Sequence, residues 1–233
     1  MAHPRWYLDE IAHAGPEHLD PRYVATYDQK ARTDYAVDLA LLRDLGLDAS
    51  KALIDLGAGT GTLALTVAPH CQRVVAVDPS AAMLAALREK IEQSHCHNVE
   101  CVHGGFLSYQ HAGAPADMLY SRNALHHLPD FWKAVALHRV AAMLKPGGVL
   151  RLRDLVFAFD VAESERAMEA WLTRAKERPE DGWTRTELET HLRDEFSTFT
   201  WLLEPMLERA GFTIHAAEYD DSRIYAAYVC VKN

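Results

Sequence analysis

From Lys51 onward the chain alternates short apolar runs with stretches in which apolar residues recur at helical spacing. The apolar runs at 51–56, 73–77, 99–103, 116–120 and 148–153 have strand length and predict five strands. The stretches 62–69, 80–93 and 130–144 between them predict helices, the last stopped by Lys145-Pro146-Gly147-Gly148. Strands that alternate with helices pair in parallel, because each helix carries the chain back across the sheet. Residues 1–48 read as a helical N-terminal cap, with Val37, Leu41, Leu42 and Leu45 at helical spacing up to Gly46. After strand five the alternation breaks at a charged segment, 156–193, which holds Trp171, Trp183 and His191 and reads as an insertion that covers a site. A helix over 198–210 and strands near 212–219 and 223–231, an antiparallel pair joined through Asp220-Asp221-Ser222, close the domain. The expected fold is α/β: a mostly parallel seven-stranded sheet with helices on both faces, a terminal antiparallel strand, the cap and the insertion. The main domain is expected over 49–233.

Composition narrows the function. A chain of 233 residues that is 49% hydrophobic buries a full core as one domain. Its net charge of −9 disfavours a nucleic-acid partner, since affinity for polyphosphates comes from clustered Lys and Arg. The N-terminus lacks a signal-peptide pattern and no run approaches the roughly 20 apolar residues of a membrane span, so a cytoplasmic protein with no membrane span is expected. The four cysteines are scattered. His95-Cys96-His97 with Cys101 and His103 reads either as zinc-type ligands or as one face of a short strand and the connection before it. The second reading is adopted and no metal is expected.

The candidate chemistry lies in Leu53-Ile54-Asp55-Leu56-Gly57-Ala58-Gly59-Thr60-Gly61, a buried strand running into a glycine-rich turn that opens a helix. Such a turn lets the backbone approach a ligand closely. A dinucleotide fingerprint would need its third glycine at position 62, which is Thr62; the glycines fall at 57, 59 and 61 instead. Val74-Val75-Ala76-Val77-Asp78-Pro79-Ser80 ends the second strand on an acid. Asp78 accepts both hydroxyls of a ribose there or caps the helix that starts near Ser80.

These residues resemble the class I S-adenosylmethionine-dependent methyltransferases, a Rossmann-like family, and in particular small-molecule members of the methyltransferase-11 and -25 type. The resemblance spans about residues 23–231 and includes Asn123-Ala124-Leu125-His126-His127-Leu128-Pro129-Asp130 after strand four and Leu144-Lys145-Pro146-Gly147-Gly148-Val149-Leu150 before strand five. It implies S-adenosyl-L-methionine as cofactor. Asp55, Gly57, Ala58, Gly59 and Gly61 would surround its methionine part, Asp78 with Pro79 would hold the ribose, and Asn123 would line the site. One departure stands out: where the family often has Gly-Asp-Ala after strand three, with the Asp accepting from the adenine amino group, this chain has Gly104-Gly105-Phe106. The position matching that Asp is Gly105, and adenine would then be held by the backbone amide at Phe106 and by apolar contact. Tyr23, Tyr27 and Asp28 resemble the segment that many members fold over the cofactor.

A sulfonium carries an already reactive methyl group, so the protein mainly aligns the acceptor and excludes water, with a base as an optional aid. Candidate catalytic residues are Asp154, His126 and Tyr27. Asp154 has the alternative of pairing with Arg122 or Arg153; His126 and His127, adjacent on a turn, have that of packing at the sheet edge; Tyr27 has that of a solvent-side helix. Trp171 and Trp183 are lid or core. The expected function is methyl transfer to a small, largely apolar molecule. An RNA or protein methyltransferase and a non-catalytic S-adenosylmethionine-binding module are alternatives, and a nicotinamide dehydrogenase is a distant one.

Overall fold

The computed structural model describes residues 4–31 and 33–233, so residues 1–3 and 32 of the expected cap lie outside it. Helices α1 (Pro16–Leu19), α2 (Pro21–Ala31) and α3 (Ala36–Asp44) precede β1 (Ala52–Leu56), α4 (Thr62–Val67), β2 (Arg73–Asp78), α5 (Ala81–Ser94) and β3 (Val99–His103). There follow β4 (Ala116–Arg122), α6 (Asp130–Met143), β5 (Leu144–Phe157), α7 (Ser164–Leu172) and α8 (Arg185–Asp194). Then β6 (Thr198–Phe199), α9 (Thr200–Arg209), β7 (Phe212–Tyr219) and β8 (Tyr225–Lys232) complete the chain.

Seven strands form the sheet in the order β3-β2-β1-β4-β5-β8-β7, and two-residue β6 pairs with the end of β5. Only β8 runs against its neighbours β5 and β7; the other pairings are parallel. Nearly every residue of β1 and β2 is buried, because helices cover both faces and leave no strand face for polar residues. On one face α6 and α9 supply Trp132, Leu137, Val140, Leu203 and Leu207 to the core. On the other, α3, α4 and α5 supply Leu42, Leu63, Val67, Leu84 and Leu87. α3 is thus built into a sheet face, and within the expected cap only the chain before it reaches over the strand ends.

Two boundaries differ from expectation. β5 begins before Gly147 and runs to Phe157, since β8 pairs with it up to Leu155 and β6 pairs with Val156 and Phe157. The insertion therefore starts beyond 157, and its Phe159, Trp171 and Leu172 form a small core with Leu155 of β5 and Ile224. The sheet order reverses between β1 and β4, and the chain leaves these strands on opposite sides, opening a crevice at their carboxyl ends. No helix among the described residues is long and apolar enough to cross a membrane.

Candidate active site

Three adjoining cavities open at the carboxyl ends of the strands, and Tyr27 and Asn123 line all of them. One, of about 90 Å³, lies between Gly57, Gly59, Asp78, Pro79, Gly105 and Phe106. A second, of about 170 Å³, shares Gly57 and Gly59 and adds Ala58, Thr60 and Asp28. The third, of about 230 Å³, is walled by Tyr23, Leu155, Trp171, Trp183 and Tyr225 and by His126, His127, His191 and Glu195. Of the residues expected at a cofactor, Asp55 and Gly61 line none of the three.

The glycines of the turn serve different ends. A Cβ on Gly57 would overlap that of Ala124, and one on Gly61 would overlap the Leu87 side chain, so these two are needed for packing. Gly59 has φ +56° and nothing within 4 Å of where its Cβ would stand. It is the glycine that keeps space free.

The Gly59 amide donates to Asp78 Oδ2 at 2.7 Å and the Ser80 amide to Oδ1 at 2.8 Å. The cap of α5 is Ser80, whose hydroxyl accepts from the Met83 amide at 3.1 Å, so Asp78 is not spent on capping. Burial pushes the Asp78 carboxyl up to about 6, against the pull of those two amides. Beneath the turn, buried Asp55 is pushed up to about 8 by burial and by Asp78, and its Oδ2 has no hydrogen-bond partner.

At the other end of this cavity stands a residue that the sequence pattern did not mark. Glu10 is only 7% exposed, and its Oε2 lies 2.6 Å from the point a Cβ on Gly105 would occupy. Oε2 accepts from the Leu107 amide at 2.9 Å, and Oε1 accepts from the Ser108 amide at 2.7 Å and the Ser108 hydroxyl at 2.5 Å.

Helix α2 is tied across the crevice at two points. Asp28 accepts from Thr60 Oγ1 and from Lys90 Nζ, fixing α2 to the glycine turn. Buried Lys30 pairs with Glu187 of α8 and stands 4.7 Å over the Trp183 ring. Glu187 also completes a capping box with Thr184, so the first turn of α8 is built around the same carboxylate. Tyr27, between these ties, packs edge-on against His18 and Trp183, and burial together with Asp78 and Asp28 pushes its hydroxyl up to about 12.

Asp154 pairs with neither arginine. Arg122 bonds Asp38 at 2.8 Å, and Arg153 bonds Asn123 Oδ1 at 2.7 Å while lying over the Tyr225 ring. Asp154 instead sits behind the turn at Leu125–His127. Its Oδ2 accepts the Leu125 amide at 2.7 Å, and its Oδ1 holds His126 Nδ1 at 2.5 Å. His126 Nε2 lies 3.0 Å from Glu195 Oε2. Burial works to lower the His126 pKa, but Asp154 and Glu195 outweigh it and hold it up at about 9. His127, which lines two of the cavities, is pushed down to about 3 by burial and by His126. Adjacency on a turn predicts that at most one of the two histidines faces a substrate, whereas both line the third cavity. The His95–His103 group does not converge: Cys96 bonds Asn98, and His103 bonds the Pro79 carbonyl.

Glu10, Lys30, Glu187 and Glu195 were missed by sequence reasoning. The one local signal was the spacing of His191 and Glu195, four residues and so about one helical turn apart.

Residues 53–148 match the family described as methyltransferase domain. An uncharacterized methyltransferase of Geobacillus sp. (strain WCH70) is 28% identical over 82% of this chain and 83% of its own length. Among solved structures, a S-adenosylmethionine-dependent methyltransferase from Clostridium acetobutylicum superposes with TM-score 0.68 at 13% identity over 91% of this chain and 98% of that one. The N-methyltransferase NodS from Bradyrhizobium japonicum, solved with S-adenosyl-L-homocysteine, does so with TM-score 0.59 at 15% identity over 84% and 86%. Residues 53–148 thus carry a methyltransferase domain, and the sheet order, the glycine turn and the acid ending β2 are those expected of the class I S-adenosylmethionine-dependent methyltransferases that the chain resembles.

Proposed function

We propose that the chain methylates a small, largely apolar acceptor held in the 230 Å³ cavity, with the cofactor across the two cavities that share Gly57 and Gly59. The observation that carries this reading is the carboxylate of Asp78. Each of its oxygens accepts one backbone amide and keeps a lone pair for a ligand hydroxyl, and the residue lines the cavity. The open space at Gly59 also fits a polar ligand at this turn.

Bound S-adenosylmethionine supplies a methyl group on a sulfonium, already activated for transfer. Asp78 and Pro79 would hold the ribose, and Gly57, Ala58 and Gly59 would border the methionine part, with Asp55 and Gly61 supporting the turn from below. Glu10 would do for adenine what an acid at 105 does elsewhere: Oε2 has accepted one amide and retains a lone pair for an amino group. Phe106 would offer the ring an apolar wall and Gly105 the room to approach.

Tyr27 and Asn123 face cofactor and acceptor spaces alike, so they would set the line along which acceptor and methyl group meet. The acceptor's apolar body would lie against Trp171, Trp183 and Tyr225, with its polar atom at the corner made by His126 and His127. Asp154 would act through His126 as a positioning residue. Trp183 and the Lys30–Glu187 pair close the crevice from above and would keep water out.

Calorimetry with S-adenosyl-L-homocysteine, followed by transfer of labelled methyl to a panel of small acceptors, RNA and protein, tests the reading. Binding of the homocysteine compound and labelling confined to small molecules are expected. Labelling of RNA or protein alone would overturn the acceptor assignment.

A further inference from the structure

We propose that His126, His127 and Glu195 form a site for one divalent first-row transition-metal cation at the inner wall of the 230 Å³ cavity. That the cation would hold the acceptor's polar atom rests on the functional reading above; the cation site itself does not. Among the described residues this is the one group of three or more His, Cys, Asp or Glu whose ligand atoms all lie within 4.8 Å of one another. Two imidazoles and one carboxylate are a donor set for borderline cations such as zinc, manganese, iron or cobalt, and three protein ligands leave a coordination position open to the cavity.

Three further observations point the same way. The first concerns orientation. Asp154 holds His126 by Nδ1 at 2.5 Å, which leaves Nε2 as the atom facing Glu195, and a carboxylate behind the far nitrogen is the usual support of a metal-bound imidazole. The second is unmet bonding capacity. His127 Nδ1 and Glu195 Oε2 are buried without a hydrogen bond. His126 Nε2 and His191 Nδ1 meet Glu195 Oε2 as ion-pair contacts that do not meet hydrogen-bond geometry. A cation would satisfy the carboxylate and the free imidazole together.

The third is rigidity. The Phe196 amide donates to the His126 carbonyl at 2.9 Å, which locks the segment carrying Glu195 onto the turn carrying both histidines. His191 is steadied in turn by Ser197 Oγ at 3.0 Å from its Nε2. The site therefore joins residues 126–127 to residue 195 through the backbone as well as through side chains. The competing account is a cluster of ion pairs in which His126 carries a proton between Asp154 and Glu195.

The test is a titration of the chelator-treated full chain with Co²⁺, followed by visible d–d absorption and by displacement with Zn²⁺. The wild type is expected to bind one equivalent with a band that Zn²⁺ abolishes. Glu195→Gln is expected to bind Co²⁺ at least about 100-fold more weakly, and Asp154→Asn roughly 10- to 100-fold more weakly. S-adenosyl-L-homocysteine binding and melting temperature, read on the same samples, report folding and the cofactor site separately. Wild-type chain that binds the homocysteine compound but neither Co²⁺ nor Zn²⁺ would overturn the cation site and leave the methyltransferase reading standing. So would Co²⁺ binding that Glu195→Gln, folded by melting temperature, leaves unchanged. A variant that fails to fold leaves the wild-type titration to decide.

Discussion

Glu10 and Gly105, 95 positions apart, share one space: the carboxylate of the first fills the volume that a side chain on the second would take. An acid has not been lost beside the proposed adenine site but is supplied from the N-terminal segment. Glu10→Gln should weaken S-adenosyl-L-homocysteine binding by about 1.5–3 kcal/mol, the scale for a hydrogen bond to a charged group. It should also narrow the preference for the adenine compound over its inosine analogue, since an amide can donate to the carbonyl that replaces the amino group. Calorimetry with both ligands decides; an unchanged preference would confine Glu10 to bracing the Leu107 and Ser108 amides.

The glycine turn offers a contrast between two substitutions. Gly59→Val should lower stability by roughly 1–2 kcal/mol, the cost of a left-handed backbone for a side chain, because nothing stands within 4 Å of its Cβ. Cofactor binding should nevertheless disappear. Gly61→Ala should add an overpacking cost of about 1–3 kcal/mol against Leu87 and so melt earlier than Gly59→Val. Melting curves and S-adenosyl-L-homocysteine titrations on both variants check the order, and retained binding in Gly59→Val would remove Gly59 from the ligand's path.

Cofactor affinity should depend on pH through Asp78. Its folded pKa, about 6, stands above the ordinary 3.8 of the unfolded chain. Its contribution to apo stability is therefore full below pH 3.8 and is lost as pH rises through about 6. Ribose hydroxyls donating to the carboxylate favour the ionised form, so binding below pH 6 must release the proton. Affinity for S-adenosyl-L-homocysteine should then fall by up to about tenfold per unit as pH drops through 6, and Asp78→Asn should flatten this slope. A slope that survives in the variant would assign the proton elsewhere.

The two tryptophans of the insertion should behave differently. Trp171 is 4% exposed and packs with Leu155, Phe159 and Ile224, so Trp171→Ala should cost about 3–5 kcal/mol of stability. Trp183 faces Tyr27 and Lys30 at the cavity, so Trp183→Ala should leave the melting temperature nearly unchanged while raising KM for the acceptor. Excision of 161–185 would remove Trp171 with Trp183 and so confuse core with covering, which these point variants separate.

What could be read from the chain was what is local. The glycines at 57, 59 and 61, the acid at 78 and the strand-helix alternation are contiguous patterns, and they predicted the sheet and the place of the crevice. Glu10 was out of reach because its partners lie near residue 107, and no periodicity links them. Asp154 reads from the sequence as a candidate catalytic residue, with a pair to Arg122 or Arg153 as the alternative; the arginines bond Asp38 and Asn123 instead, and Asp154 holds His126, 28 positions away. Glu195 needed the backbone bond between Phe196 and His126, a contact across 70 positions.

The wall of the 230 Å³ cavity also bears on descent. The stretch that matches the shared family, 53–148, gives that wall only Asn123, His126 and His127; the rest comes from residues 18–27 and from 155 onward. Mutations can thus accumulate in those outer segments and redraw the pocket without touching the glycine turn or Asp78. With the acceptor held there as proposed, relatives that share the stretch 53–148 would share the donor and could still differ in what they methylate.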